Sequence, residues 1–133
     1  QAAMTAALHH SGISPEQIDY INAHGTSTPL GDTAEVAAVK SLFGDHAYTL
    51  AMSSTKSCTG HTLGAAGGIE SIAVVKSIQE SVMPPTINLD NPDDGFDLNF
   101  VANTPQERDI NIALNNSFGF GGHNVSLAIA AFN

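Results

Sequence analysis

The sequence predicts a mixed α/β domain, and three observations carry that prediction. Short β-patterned runs alternate with helix-patterned ones through the first part of the chain. The main apolar run, residues 63–78, follows directly on a polar turn punctuated by glycines. The chain then closes on two strand-like segments joined by a glycine loop, an arrangement that makes them antiparallel neighbours.

Taken in order, residues 1–10 form the body of a helix (Ala2, Ala3, Met4, Ala6, Ala7, Leu8) with no cap before it, so the chain is expected to begin within an element, as a fragment. Gly12 ends that helix, and Ser14-Pro-Glu-Gln offers a new cap with proline at the first helical position, enough for one short turn. Ile18, Asp19, Tyr20 and Ile21 alternate as a strand that ends at Asn22-Ala-His-Gly. Residues 25–32 are rich in turn formers and predict a loop. Residues 33–43 then set Val36, Val39, Leu42 and Phe43 at helical spacing before Gly44. A second strand is expected over 48–52. Between 82 and 105 the period is lost to Met83-Pro-Pro-Thr, Asp90-Asn-Pro-Asp-Asp-Gly and Asn103-Thr-Pro, which predicts an irregular surface excursion with extended pieces at Ile87 and at 98–101. A third strand over 110–114, a glycine loop over 115–124 and a fourth strand over 125–132 complete the chain.

The stretch from Ser53 to Glu80 organises the rest. Lys56, Cys58 and His61 come first, followed by a segment apolar on nearly every side: Leu63, Ala65, Ala66, Ile69, Ile72, Ala73, Val74, Val75 and Ile78. A helix apolar all round is expected inside the protein. It is too short to span a bilayer, and Glu70 and Lys76 interrupt it. Gly60, Gly64, Gly67 and Gly68 each cost helix propensity by about 1 kcal/mol relative to alanine. That cost predicts a neighbour pressed against the helix start.

Composition narrows the function. A chain of 133 residues fits one domain or a piece of a larger one, and 42% apolar residues suffice for a core. Only 13% of residues are charged, against about 25% in ordinary domains. Much of the surface is therefore expected to face other protein. Thirteen acidic and four basic residues give a net charge near −9, which argues against a nucleic-acid partner. No run is long enough to span a membrane and no signal segment opens the chain. A single cysteine rules out an internal disulfide and suits a reducing, cytoplasmic setting.

Unusual residues gather at three places where a strand ends or a helix starts: Asn22-Ala-His24-Gly-Thr-Ser-Thr, Lys56 to His61, and Asn115-Asn-Ser-Phe-Gly-Phe-Gly-Gly-His-Asn. Ligand sites of α/β folds form at the carboxyl ends of strands, so these loops are expected to share one pocket. His61, placed at the start of the apolar helix, would be held neutral by the positive end of the macrodipole and could donate a hydrogen bond to a developing oxyanion. His24 in such a loop is as readily a plain hydrogen-bonded side chain. Lys56 is expected to pair with Glu70 in a buried ion pair. Cys58 admits three readings: a nucleophile with His61 as its base, a zinc ligand with His61, His24 and His123, or a buried structural thiol, which its lack of partners at diagnostic spacing favours. Gly119-Phe-Gly-Gly lacks the third glycine of a dinucleotide fingerprint and the Gly-Lys-Ser/Thr of a phosphate loop. It predicts a tight turn whose free N–H groups could face an oxyanion, with Phe118 and Phe120 lining an apolar channel or simply packing in the core. The Asn115-Asn-Ser and Asn124-Val-Ser triplets match a glycosylation pattern by chance.

Four motifs in this order resemble one family. They are Asn22-Ala-His-Gly-Thr-Ser-Thr-Pro-Leu-Gly-Asp, Ser53-Ser-Thr-Lys-Ser-Cys-Thr-Gly-His-Thr-Leu-Gly-Ala-Ala-Gly, Pro84-Pro-Thr-Ile-Asn-Leu and Asn116-Ser-Phe-Gly-Phe-Gly-Gly. Together they resemble the C-terminal part of β-ketoacyl-acyl-carrier-protein synthases, in particular the type II elongating enzyme of bacterial fatty acid synthesis. The resemblance implies a thiolase-like α-β-α-β-α sandwich of which residues 1–133 are most of the second half, incomplete at the N-terminal end. It implies a decarboxylative Claisen condensation in which malonyl-acyl carrier protein attacks an acyl thioester on a cysteine. That cysteine belongs to the family's N-terminal half, so Cys58, where the family usually carries a residue such as methionine, is not the nucleophile. His24 and His61 are similar to the two catalytic histidines, and Lys56, paired with Glu70, to the active-site lysine that orients them. Thr26 and Thr28 resemble the threonines that bind the phosphopantetheine arm. Phe120 would supply an oxyanion-hole N–H and, with Phe118, gate the acyl pocket. His123 stands where threonine is usual, and no role is assigned to it. The resemblance also implies acyl carrier protein and malonyl and acyl thioesters as partners, a homodimer, and no cofactor or metal beyond the arm that substrates carry. On this reading the isolated fragment is expected to be unstable or to aggregate, and to be inactive alone. Two other readings remain open: a non-catalytic partner subunit that sets chain length, and a metal-binding module through Cys58 and His61.

Overall fold

The computed structural model describes residues 1–132; Asn133, the last residue of the expected domain, lies outside them. Helix α1 (Ala2–Ser11) ends at Gly12 in the left-handed region (φ 67°), whose N–H reaches back to the last turn. A 3-10 turn at Pro15–Gln17 follows, closed by a capping box between Ser14 and Gln17. Strand β1 (Tyr20–Asn22) leads to α2 (Pro29–Phe43), and β2 (Ala51–Ser53) to the short α3 (Lys56–Thr59) and then α4 (Ala66–Glu80). A two-residue ribbon joins β3 (Val82–Met83) to β4 (Gln106–Glu107), antiparallel. The chain closes with β5 (Ile112–Phe118) and β6 (Asn124–Ala130).

The main sheet runs in the order β2-β1-β5-β6, with the first two pairings parallel and the last antiparallel. Its register sets Tyr20 beside Ala51 and Ala113, and Ile21 beside Met52 and Leu114. Alternation sends these two rows to opposite faces. Ile21, Met52 and Leu114 pack with Met4, Leu8, Val36, Val39 and Phe43 from α1 and α2. On the other face Tyr20, Ala51 and Ala113 pack with Val74 of α4, Met83 and Ile110. The result is helix, mixed sheet, helix. Because β1, β2 and β5 are parallel, the segments after all three emerge at one end of the sheet.

Four expectations are corrected. Helix α2 begins at Pro29, not at residue 33. Proline suits the first helical position, and Gly31 leaves room for Thr28, whose Oγ1 would lie 2.5 Å from a β-carbon there. The second strand spans only Ala51–Ser53, because Gly44–Tyr48 close into a 3-10 turn. The third strand starts at Ile112 and continues through Asn115–Phe118, leaving residues 119–123 as the loop. Most consequentially, α4 is not buried all round. Ala66, Glu70, Val74 and Ser77 face inward, while Ile72 is 66% exposed and Ile69 and Val75 are about 40% exposed. A β-carbon at Gly60, Gly64 or Gly68 would meet nothing within 4 Å. At Gly67 alone of the four is the expected neighbour present: a β-carbon there would come within 3.9 Å of Ser117 Oγ of β5.

Candidate active site

The segment after β1 carries His24, and the fold fixes it through a carboxylate. The N–H of His24 and the N–H of Gly25 donate to the two oxygens of Glu35, each at 3.0 Å. Glu35 sits on the inner face of α2, only 4% exposed, and Asn116 of β5 donates to it at 3.1 Å. Ser126 in turn donates to Asn116 Oδ1 at 2.8 Å. Burial pushes the Glu35 carboxyl above its usual range, and the three donors hold it back. Gly25 has φ 37° and would bring a β-carbon to 2.7 Å from Ser54, so glycine is required where the first two loops cross. Ser54 Oγ closes that crossing by donating to Gly25 O at 2.7 Å.

The segment after β2 carries Lys56 and His61. Asn22 Nδ2 donates to Thr55 Oγ1 at 3.2 Å, tying the ends of the two strands just before His24 and Lys56. Lys56 turns inward, its side chain 4% exposed, and pairs with Glu70 of α4, 2% exposed. The expected buried ion pair is therefore formed. Asn115 holds α4 to β5 by donating to Gly67 O at 3.2 Å and Ser71 Oγ at 3.0 Å.

His61 is not at the start of the apolar helix. It follows α3 and Gly60 (φ 74°), and the 3-10 turn Leu63–Ala65 separates it from α4, so the macrodipole argument does not reach it. Its tautomer is fixed instead by a local bond. Leu63 N–H donates to His61 Nδ1 at 3.2 Å, which leaves the proton on Nε2 as a free donor. The neutral-donor argument passes to His24. Burial, the Lys56 charge and His61 together lower its pKa from the usual 6.5 to about 4.

The segments after β1 and β2 converge, and β5 meets them through Phe118. The rings of His24 and His61 stand edge to face with centroids 5.6 Å apart, and Phe118 lies against His24 at 5.7 Å. Lys56, His61 and Thr26 line a cavity of about 400 Å³ whose floor includes Val36, Met52 and Phe100. No residue of 115–124 lines it, so the pocket expected of three loops is built by two of them and the excursion 84–103. The hydroxyl of Thr26, in the cavity wall, lies 3.2 Å from that of the exposed Thr28. Asp32 lies in the same wall, raised by burial and held back by backbone N–H groups of residues 26–28. Phe120 does not join Phe118. Its side chain is 94% exposed on the turn Phe120–Gly122, so of the expected channel only Phe118 reaches the histidines. His123 is exposed and accepts from Gly119 N–H at 2.9 Å through its carbonyl, which closes the loop.

Cys58 is a free thiol, as expected, but exposed rather than buried, because α3 is too short to wrap it. It does not line the cavity. Among the described residues no group of three His, Cys, Asp or Glu side chains stands close enough to hold a metal, so the zinc reading lacks a third ligand. Asn115 and Asn116 lie buried in β5, unsuited to carry a glycan. Sequence reasoning missed Glu35, and it set Asn22, Asn115 and Asn116 among the site segments without giving them a role. Glu35 left one signal: it stands four residues before Val39 and eight before Phe43, on the face that is otherwise apolar.

Comparison with known proteins accords with this geometry. Residues 1–90 match the family described as β-ketoacyl synthase, C-terminal domain. The chain is 56% identical over 127 residues to 3-oxoacyl-[acyl-carrier-protein] synthase 2 of Coxiella burnetii, covering 96% of this chain and 31% of that protein. It is 54% identical over 130 residues to the enzyme of the same name from Synechocystis, covering 98% and 31%. Among solved structures it is similar to a type II PKS ketosynthase in complex with its acyl carrier protein (TM-score 0.94, 38% identity, 98% of this chain and 32% of that one). It is similar too to a β-ketoacyl synthase of Burkholderia phymatum (TM-score 0.93, 35% identity, 99% and 32%). The fold is thus the thiolase-like α/β fold of ketosynthases. The chain spans 31% of the length of the two curated relatives.

Proposed function

Since the chain belongs to the β-ketoacyl synthase family, we propose that it is the C-terminal part of a condensing enzyme that extends acyl chains with malonyl-acyl carrier protein. The observation that carries this reading is the pair of imidazoles 5.6 Å apart, one held neutral and the other with a free Nε2 donor. Such a pair is suited to a carbonyl oxygen on which negative charge grows.

In the proposed reaction the bond between the malonyl carboxyl carbon and Cα breaks, carbon dioxide leaves, and the electron pair passes into an enolate. The N–H groups of His24 and His61 hold the enolate oxygen. Cα then attacks the acyl carbonyl of a thioester on a cysteine supplied from outside this chain, and the thiolate departs. Lys56 pairs with Glu70, and its positive charge both favours the enolate and opposes protonation of His24. Thr26, in the cavity wall, and Thr28, hydrogen-bonded to it, would bind the phosphopantetheine arm. Phe118 would face the acyl chain, and Phe120 would contribute its backbone N–H to the thioester oxygen. No further cofactor enters. Acyl carrier protein is the proposed partner, a homodimer the proposed assembly and the cytoplasm the proposed location. Among the described residues no helix is long and apolar enough to cross a membrane.

The test is product analysis with the full-length protein, acyl-acyl carrier protein and malonyl-acyl carrier protein. One 3-oxoacyl product and one carbon dioxide per turnover are expected. Binding of both substrates with neither product would instead favour a non-catalytic chain-length partner, a reading that the assembled His24, His61 and Lys56 disfavour.

A further inference from the structure

The turn that carries Lys56 leaves the sheet at Ser53, so the next N–H, that of Ser54, has no ladder partner. It is received from outside the turn, by Thr86 Oγ1 at 3.0 Å. The same hydroxyl donates to Phe100 O at 2.9 Å, while Thr86 N–H donates to Val101 O and Thr86 O accepts from Asn103 N–H, both at 2.9 Å. Thr86 thus closes the base of the excursion 84–103 and holds the catalytic turn with one side chain. One residue on, Ile87 N–H donates to Ser57 Oγ at 3.0 Å, and that hydroxyl donates to Ser54 O at 2.8 Å. The excursion grips the turn on both sides of Lys56. Its frame is rigid: Val101 is fully buried at φ 52°, a conformation that a β-branched residue keeps only when its surroundings over-determine it. Thr86 also lines the cavity that Lys56 and His61 line.

From this geometry we infer that Thr86 is a positioning residue, whose hydroxyl sets the Lys56 to His61 turn against His24; the inference rests on the function proposed above. The chemistry needs an acceptor and a donor in one short side chain. Serine has both, and valine, of the same shape as threonine, has neither.

The test uses the full-length enzyme and its two half-reactions. Thr86→Val is expected to lower kcat for malonyl decarboxylation at least tenfold, with KM for malonyl-acyl carrier protein and the rate of acyl transfer to the cysteine both within twofold of wild type. Thr86→Ser is expected to restore decarboxylation. Should Thr86→Val fail to fold, Ser57→Ala removes the second grip and is expected to show the same selective loss. Equal loss in both half-reactions, no loss in either, or no rescue by serine would overturn the role of Thr86. A wild-type enzyme that decarboxylates nothing would overturn the proposed function itself, and this inference with it.

Discussion

Alanine in place of His61 is expected to slow malonyl decarboxylation by the full-length enzyme about 100- to 1000-fold, the usual cost of removing one oxyanion donor. Acyl transfer to the nucleophilic cysteine should stay within a few-fold of wild type. His61 is exposed, and its one hydrogen bond to the chain is the local acceptance from Leu63, so its removal leaves the core untouched. Loss of activity in this variant therefore reads on chemistry rather than on folding. A rapid assay of released carbon dioxide, paired with single-turnover acylation, separates the two half-reactions. Equal loss in both would count against the role given to His61.

Lys56→Met is expected to have the largest effect on stability. It strands the Glu70 carboxylate in a site 2% exposed, and breaking a buried pair in this way costs about 3–5 kcal/mol. Replacing both partners, Lys56→Met with Glu70→Leu, should recover most of that loss, because an apolar pair of similar volume has no charge left to solvate. Decarboxylation should stay abolished in both variants, since the cation beside His24 is gone. Equilibrium denaturation of the full-length enzyme checks the stability part. A single variant within about 1 kcal/mol of wild type would mean that the pair is less enclosed than it is here.

The sheet and the convergence of its first two loops were legible because strand ends are marked by the residues that break strands. Asn22-Ala-His-Gly and Ser53-Ser-Thr-Lys interrupt apolar runs, and parallel pairing carries both interruptions to the same end. The extent of β5 was not legible. Asparagine is depleted in strands, yet Asn115 and Asn116 lie in one because Gly67 and Ser71 accept from Asn115 Nδ2 and Glu35 accepts from Asn116, partners far away in the chain, while Ser126 of the neighbouring strand donates to Asn116. Glu35 was missed for a related reason. A carboxylate in a helix reads as solvated unless its face is followed, and here it meets two backbone N–H groups that sequence does not place.

The helix after His61 shows a different limit. Composition correctly marks Leu63, Ile69, Ile72 and Val75 as apolar but cannot say what covers them, and within the described residues they stay largely open. The same apolar run made His61 look like a helix start, although Gly60 and the turn at Leu63–Ala65 set it apart. The proposed chemistry asks for a neutral imidazole, and His61 has no helix dipole to hold it neutral. His24 meets that requirement through burial and the neighbouring Lys56.

That assignment has a pH signature. With its pKa lowered from the usual 6.5 to about 4, folded His24 stays neutral where the unfolded chain takes up a proton, so its effect on stability is nil above about pH 6.5 and turns unfavourable as pH falls toward 4. The most direct test of a neutral imidazole at His24 is an NMR titration of that ring in the full-length enzyme, assigned by His24→Gln. A ring that remains uncharged through pH 5, with a midpoint near 4, is the predicted result; a midpoint near 6.5 would contradict the account, because half of the molecules would then hold a cation where a neutral donor is required.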